Sequence, residues 1–247
     1  MMHYGKYIQQ TLFLVSAGIT TYACIFMPSL YVYGWLVYGI WLVGIIAAAF
    51  YHRCLSHGAW KCPRWLQIFL TIVAAGHAFT PAISWVSIHR KHHRFSDTAE
   101  DPHGPQVGFI KNALISFYNT DLKYAGRLWK DRLYTLQLEY YFTIVIVYFV
   151  LWSWLFGPLS WFIINGVVYL LQATINYIAH DGYKPINLSH AHALLFSAET
   201  YHATHHKYPN EARTGLVDIP YLTFIRVFDP ETAKRIPRWL DEDERGD

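Results

Sequence analysis

Residues 65–89 read WLQIFLTIVAAGHAFTPAISWVSIH, and the topology of the chain turns on them. The stretch carries no Asp, Glu, Lys or Arg. As one helix it would reach roughly 37 Å, long enough to cross a hydrocarbon core of ~30 Å. Its flanks argue against a crossing. Arg53, Lys61 and Arg64 precede it, and Arg90, Lys91 and Arg94 follow it. A crossing would put basic clusters on both sides and would part His52 and His57 from His89, His92 and His93. Gly76, His77, Thr80 and Pro81 interrupt it as well. The reading is a helix over about 65–84 that lies in, or dips into, the membrane interface, with a break near Pro81.

On either side lie longer apolar runs. Residues 7–52 hold no formal charge and as one helix would extend roughly 70 Å, so they must fold back. Met27-Pro28-Ser29 is the natural turn, which predicts spans over about 8–27 and 30–51. Residues 140–180 are also uncharged and are interrupted at Gly157-Pro158. They predict a second hairpin, 138–156 and 159–179. Lipid does not tolerate open sheet edges, so all four spans are helices. The fold class is an all-α integral membrane protein of one domain, 1–247. Four transmembrane helices in two hairpins carry an interfacial helix and a histidine-rich cap, 52–137 and 180–247.

Composition agrees with this. Hydrophobic residues make up 53% of the chain and charged residues only 15%, against about 25% in soluble domains. The 18% aromatic content suits membrane–water interfaces. With four crossings all twenty Lys and Arg fall on one side: Lys6, eleven in 53–132 and eight after 180. The positive-inside rule makes that side, and the cap, cytoplasmic. A net charge of +3 gives no reason to expect a nucleic-acid partner. Cys24, Cys54 and Cys62 form no CxxC pattern and read as reduced thiols. The first apolar run reads as a retained span, not a cleaved signal.

The cap carries the chemistry. His89, His92 and His93 stand at i, i+3 and i+4, which puts three imidazoles on one helical face. His202, His205 and His206 repeat the spacing. His52 and His57 stand at i, i+5, which is not one face of an α-helix; it suits a helix end where the chain turns. Asn176 and His180 share a face at the end of the fourth span, as metal-site candidates or as polar groups snorkelling at a helix end. Neutral imidazole is a good ligand for first-row metals. A structural zinc takes four ligands, so nine histidines suggest two metals. Ligand softness alone does not choose iron over zinc or copper.

These residues resemble the membrane fatty-acid desaturases, closest to the acyl-CoA Δ9 type and its short bacterial relatives. The resemblance runs from about Ile40 to Phe228. It rests on HRCLSH at 52–57, HRKHHRFSDTAEDPH at 89–103 after Trp85-Val86, NYIAH at 176–180, and ETYHATHHKYP at 199–209 followed by Ala212-Arg213. It implies four spans with an interfacial helix between the first two histidine elements. It implies two irons held by His52, His57, His89, His92, His93, His180, His202, His205 and His206, with Asn176 touching the site through water. It further implies O2 as co-substrate, a fatty acyl substrate on CoA, acyl carrier protein or lipid, and a separate electron donor of ferredoxin or cytochrome b5 type. As the cellular membrane, the short termini favour a bacterial inner membrane over the endoplasmic reticulum. Three features depart from the family pattern: Ala203 replaces the usual Asn, Ala198 stands before Glu199 where Gly is common, and 111–116 lack the usual Ser-His-x-Gly-Trp segment. These leave room for a hydroxylase, ketolase or acetylenase on the same scaffold. A metal transporter or sensor is a remoter reading, since polar residues along the spans are sparse.

Supporting roles can be assigned to a few neighbours. Glu199, one turn before His202, could orient a ligand by accepting an imidazole N–H, or could simply be solvated. Asp97 and Asp101 could do the same or cap local turns. His103 is assigned no metal and reads as a turn residue or as support behind a ligand. The acyl chain is expected between spans two and four. Ala47, Ala48 and Ala49 would make room for it or pack helices closely, and Trp41 would form a floor.

Overall fold

In the computed structural model, residues 2–96, 98–102, 108–110, 121–197 and 199–240 are described, the side chains from Tyr7 onward. Asp97, Ala198, His103 and the 111–116 segment lie outside them. Helix α1, Met2–Phe26, turns at residues 27–29 into α2, Leu30–Val43. Ser29 caps α2, its hydroxyl accepting the Val32 amide at 3.3 Å. The helix then continues as a π-helix over Gly44–Ser56.

The second hairpin is α6, Tyr141–Phe156, and α7, Pro158–Ile178. Gly157 joins them at φ 80°, a conformation in which a side chain is strained, and Pro158 starts α7 where a missing N–H costs nothing. Helix α7 is central, with α1 and α2 packed along it. Gly166 sets the approach of α1, because a Cβ there would overlap the Thr20 hydroxyl and the Ser16 carbonyl. The outer faces of α1 and α6 expose Leu14, Val15, Ile146, Val150 and Trp154, the surface expected of helices that meet lipid.

Among the described residues three helices are long and apolar enough to cross a membrane, Tyr7–Phe26, Leu30–Ser56 and Pro158–Ile178. The pair α5, Arg132–Glu139, and α6 makes a fourth if the two count as one broken span, bent by 76° at Tyr140. Residues 138 and 139, predicted in a span, therefore belong to α5. Gln137 explains the bend. It is buried, accepts the Ala82 amide at 2.9 Å, and donates to Tyr51 Oη at 2.9 Å and the Thr71 carbonyl at 3.0 Å. That holds α5 across the bundle.

The 65–89 stretch forms two helices. Helix α3, Arg64–Gly76, ends before the predicted 84, and α4, Ala82–Phe95, carries residues 82–84. The turn between them enters the bundle. Trp161 Nε1 of α7 donates to the Gly76 carbonyl at 2.9 Å, and Tyr169 Oη donates to the Ala78 carbonyl at 2.7 Å. Gln9 of α1 also reaches Ala78, at 3.3 Å. Bundle side chains thus satisfy carbonyls freed where the helix breaks. Helix α3 exposes Trp65, Ile68, Phe69 and Ile72, with no charged outer face beyond Arg64. It dips inward and α4 returns. The cap adds a two-stranded ribbon, β1 His180–Asp181 with β2 Lys184–Pro185, and two short helices, α8 His190–Phe196 and α9 His202–Lys207.

Candidate metal centre

The π-helix brings the first two histidines together. At ~100° per residue, positions i and i+5 of an α-helix stand roughly 140° apart. In the π register they are the hydrogen-bonded pair, and the His57 amide donates to the His52 carbonyl at 3.3 Å. Arg90 of α4 steadies the end of this helix, donating to the Leu55 carbonyl at 2.8 Å and the Ser56 carbonyl at 3.0 Å.

The nine histidines form two groups: His52, His57, His89, His93 and His205, and His92, His180, His202 and His206. Within each group one nitrogen per ring lies within 4.8 Å of every other. The HxxHH elements interleave. Helix α4 gives its i, i+4 pair, His89 and His93, to the first group and His92 to the second. Helix α9 gives His202 and His206 to the second and His205 to the first. Asn187 anchors α9, accepting the Thr204 amide at 3.0 Å and donating to its hydroxyl at 2.8 Å.

Facing Nε2 atoms are close: His52 to His205 2.8 Å, His57 to His89 2.8 Å, His93 to His205 2.9 Å, His92 to His206 3.0 Å and His202 to His206 3.1 Å. Burial first, then the neighbouring rings and Arg90, pushes His57 down to about 2. Burial and the rings near it push His206 down to about 3, and His202 and His205 well below the usual range. These rings are therefore neutral, the form that binds metal. Each neutral ring has one N–H for two nitrogens, so the rings cannot all answer one another with hydrogen bonds where their lone pairs converge. A cation in each group answers them all. The donor set, wholly imidazole and largely buried, fits a pair of transition-metal ions.

Each group has a carboxylate behind one ring. Glu199 Oε2 lies 2.5 Å from His52 Nδ1. Burial alone would raise the Glu199 pKa, but His52 and Arg53 outweigh it and hold the carboxyl below its usual range. Asp101, itself buried, accepts from His92 Nδ1 at 2.9 and 2.8 Å. Both contacts place the proton on Nδ1 and leave Nε2 to face the cluster.

A cleft runs beneath the histidines between α2, α4 and α7, lined by Val43, Ala47, Trp85, His89, Leu171 and Asn176 among others. Two expected tunnel residues stand elsewhere. Trp41 lines a separate groove with Gly44 and Ser197, and Ala48 is fully buried among the helices. Trp85 went unread as a lining residue, although it stacks on His89 at 5.0 Å between ring centroids. Arg53 and Asp218, wholly buried and hydrogen-bonded to each other, also went unread.

The fatty acid desaturase family profile matches residues 28–221, most of the chain. The protein belongs to the membrane fatty acid desaturases. Among curated desaturases, the sn-2 palmitoyl-lipid 9-desaturase of Nostoc sp. (strain 36) is 30% identical over 74% of this chain and 72% of its own length. Delta-9 desaturase-like 4 protein of Arabidopsis thaliana is 27% identical over 85% and 79%. The Acyl-CoA C20 Delta5-desaturase of Anemone leveillei is 29% identical over 78% and 69%. This desaturase is thus an integral membrane oxidoreductase with a fatty acyl substrate and a histidine centre suited to two metals.

Proposed function

We propose that this desaturase holds two irons, one in the group of five imidazoles and one in the group of four, and introduces a double bond at the Δ9 position of a saturated acyl chain. The observation that carries the reading is the convergence of nine largely buried imidazoles into two adjoining groups above an apolar cleft. The names of the Nostoc and Arabidopsis relatives support Δ9. Removing two hydrogens from an unactivated methylene pair is beyond any side-chain acid or base, and bound iron with O2 supplies the oxidising power. The balance is one O2, two protons and two external electrons in, two waters out. The electrons come from a separate carrier of ferredoxin or cytochrome b5 type.

The chain's own residues position and shield. Val43, Ala47 and Leu171 form the apolar walls that align the acyl chain and exclude water. Trp85 holds the His89 ring by stacking. Glu199 and Asp101 keep the Nδ1 protons of His52 and His92, and Asn176, which lines the same cleft, holds water at the site. The distribution of Lys and Arg supports a cytoplasmic site.

Expression in a host with saturated lipids, followed by gas chromatography and double-bond localisation, tests the reading. The wild type should give Δ9 monounsaturated chains and His93→Ala none. A hydroxylated or acetylenic product would replace desaturation with a sister chemistry.

A further inference from the structure

Behind His52 lies a group of buried charge outside the nine imidazoles. Arg53 and Asp218 are both 0% exposed. Arg53 Nη1 donates to both Asp218 oxygens at 2.9 and 2.8 Å and to the Ala212 carbonyl at 3.0 Å. Its Nη2 donates to Thr214 Oγ1 at 3.3 Å and lies 3.5 Å from Glu199 Oε1. Asp218 also accepts the Thr214 amide at 2.9 Å and the Tyr221 amide at 3.1 Å. The other Glu199 oxygen meets His52 Nδ1. A line Asp218–Arg53–Glu199–His52 therefore runs from the segment after the last histidine element back to the first.

The charges explain why the line needs all its members. A buried guanidinium facing Glu199 alone would compete with the His52 N–H for that carboxylate. Asp218 answers Arg53 through two short bonds, so Arg53 touches Glu199 at a longer distance and fixes it without drawing it away. Glu199 then keeps its negative charge for the imidazole. We propose that Arg53 and Asp218 are positioning residues that fix Glu199 against His52 and so set the tautomer and aim of His52 Nε2 in the five-imidazole group. The inference rests on the two-iron reading above. A competing role is plain fastening, in which the pair only ties residues 212–221 to the π-helix.

The test uses the full-length protein loaded with ferrous iron, with affinity measured by chelator competition and the two iron environments by Mössbauer spectroscopy. Partners behind a metal-bound histidine are worth about 10–100-fold in affinity. Asp218→Asn, which leaves Arg53 to Glu199 alone, should weaken one of the two irons by about that factor and shift one spectral component only. The double variant Arg53→Gln/Asp218→Asn removes both charges and should bind that iron more tightly than Asp218→Asn. A double variant no tighter than the single, or a shift of both components alike, would establish fastening and overturn the proposal. Should Asp218→Asn fail to fold, the double variant is compared with Glu199→Gln: both must shift one and the same component, and a double variant that shifts neither component, or both alike, overturns the proposal. A wild type that takes up fewer than two irons overturns the two-iron reading and this inference together. Two irons whose spectra ignore every substitution overturn this inference alone.

Discussion

Asp101 shows how much rests on one side chain. Its carboxylate meets His92 Nδ1 at 2.8 Å inside the cap, with both residues buried. Asp101→Asn keeps the shape and removes the charge. It should lower iron affinity by about 10–100-fold, measured by chelator competition, while the apoprotein keeps its Tm to within a few degrees. Asp131 works differently. It caps α5 by accepting the Leu133 amide at 3.0 Å and pairs with Arg64 at 2.7 Å. That hydrogen bond to Arg64 outweighs partial burial and holds the carboxyl below its usual range. A depressed carboxylate stabilises the fold above its unfolded pKa, near 3.9, and loses that contribution as pH falls through the lower folded value. The pair is partly exposed, so its share is at most about 1 kcal/mol. Asp131→Ala should lower Tm at neutral pH, and the gap from wild type should narrow as pH falls through and below the ordinary carboxylate range.

At the scale of elements, Gly166 governs how closely α1 meets α7. A side chain there overlaps Thr20 and Ser16. Gly166→Val should separate the helices and lower detergent-state Tm by several degrees, whereas Ala at the exposed Gly18, where a Cβ meets nothing, should leave it near wild type. The same scale shows what was legible in the chain. The HxxHH elements were plain because their spacing is a local helical period. So were the hairpins, since charge-free runs longer than a bilayer must turn at Pro28 and Gly157. The π-helix was not, although the i, i+5 spacing of His52 and His57 is its one local trace. Its register is held by distant groups such as Arg90. The Arg53–Asp218 pair was equally hidden, because its members stand 165 residues apart and pairing at that range leaves no periodic mark. The bend at Tyr140 depended on Gln137 meeting partners on α3, α4 and the π-helix.

For the molecule as a whole, the two-metal reading proposed above couples metal to fold. The nine histidines come from both halves of the chain, so ions held there would tie the first hairpin to the last cap segment. Iron at a hundred times its Kd adds about 2.7 kcal/mol for each site that exists only when folded. A strong chelator should therefore lower Tm, and added ferrous iron should restore it; a Tm indifferent to chelation would detach the ions from the fold.

The turn between α3 and α4 has a further consequence for biosynthesis. Its carbonyls at Gly76 and Ala78 are met by Trp161 and Tyr169, which leave the ribosome long afterwards. Those two carbonyls therefore gain these bundle partners only once α7 has been made, so the wedge between α3 and α4 takes its final contacts after the last span is in place.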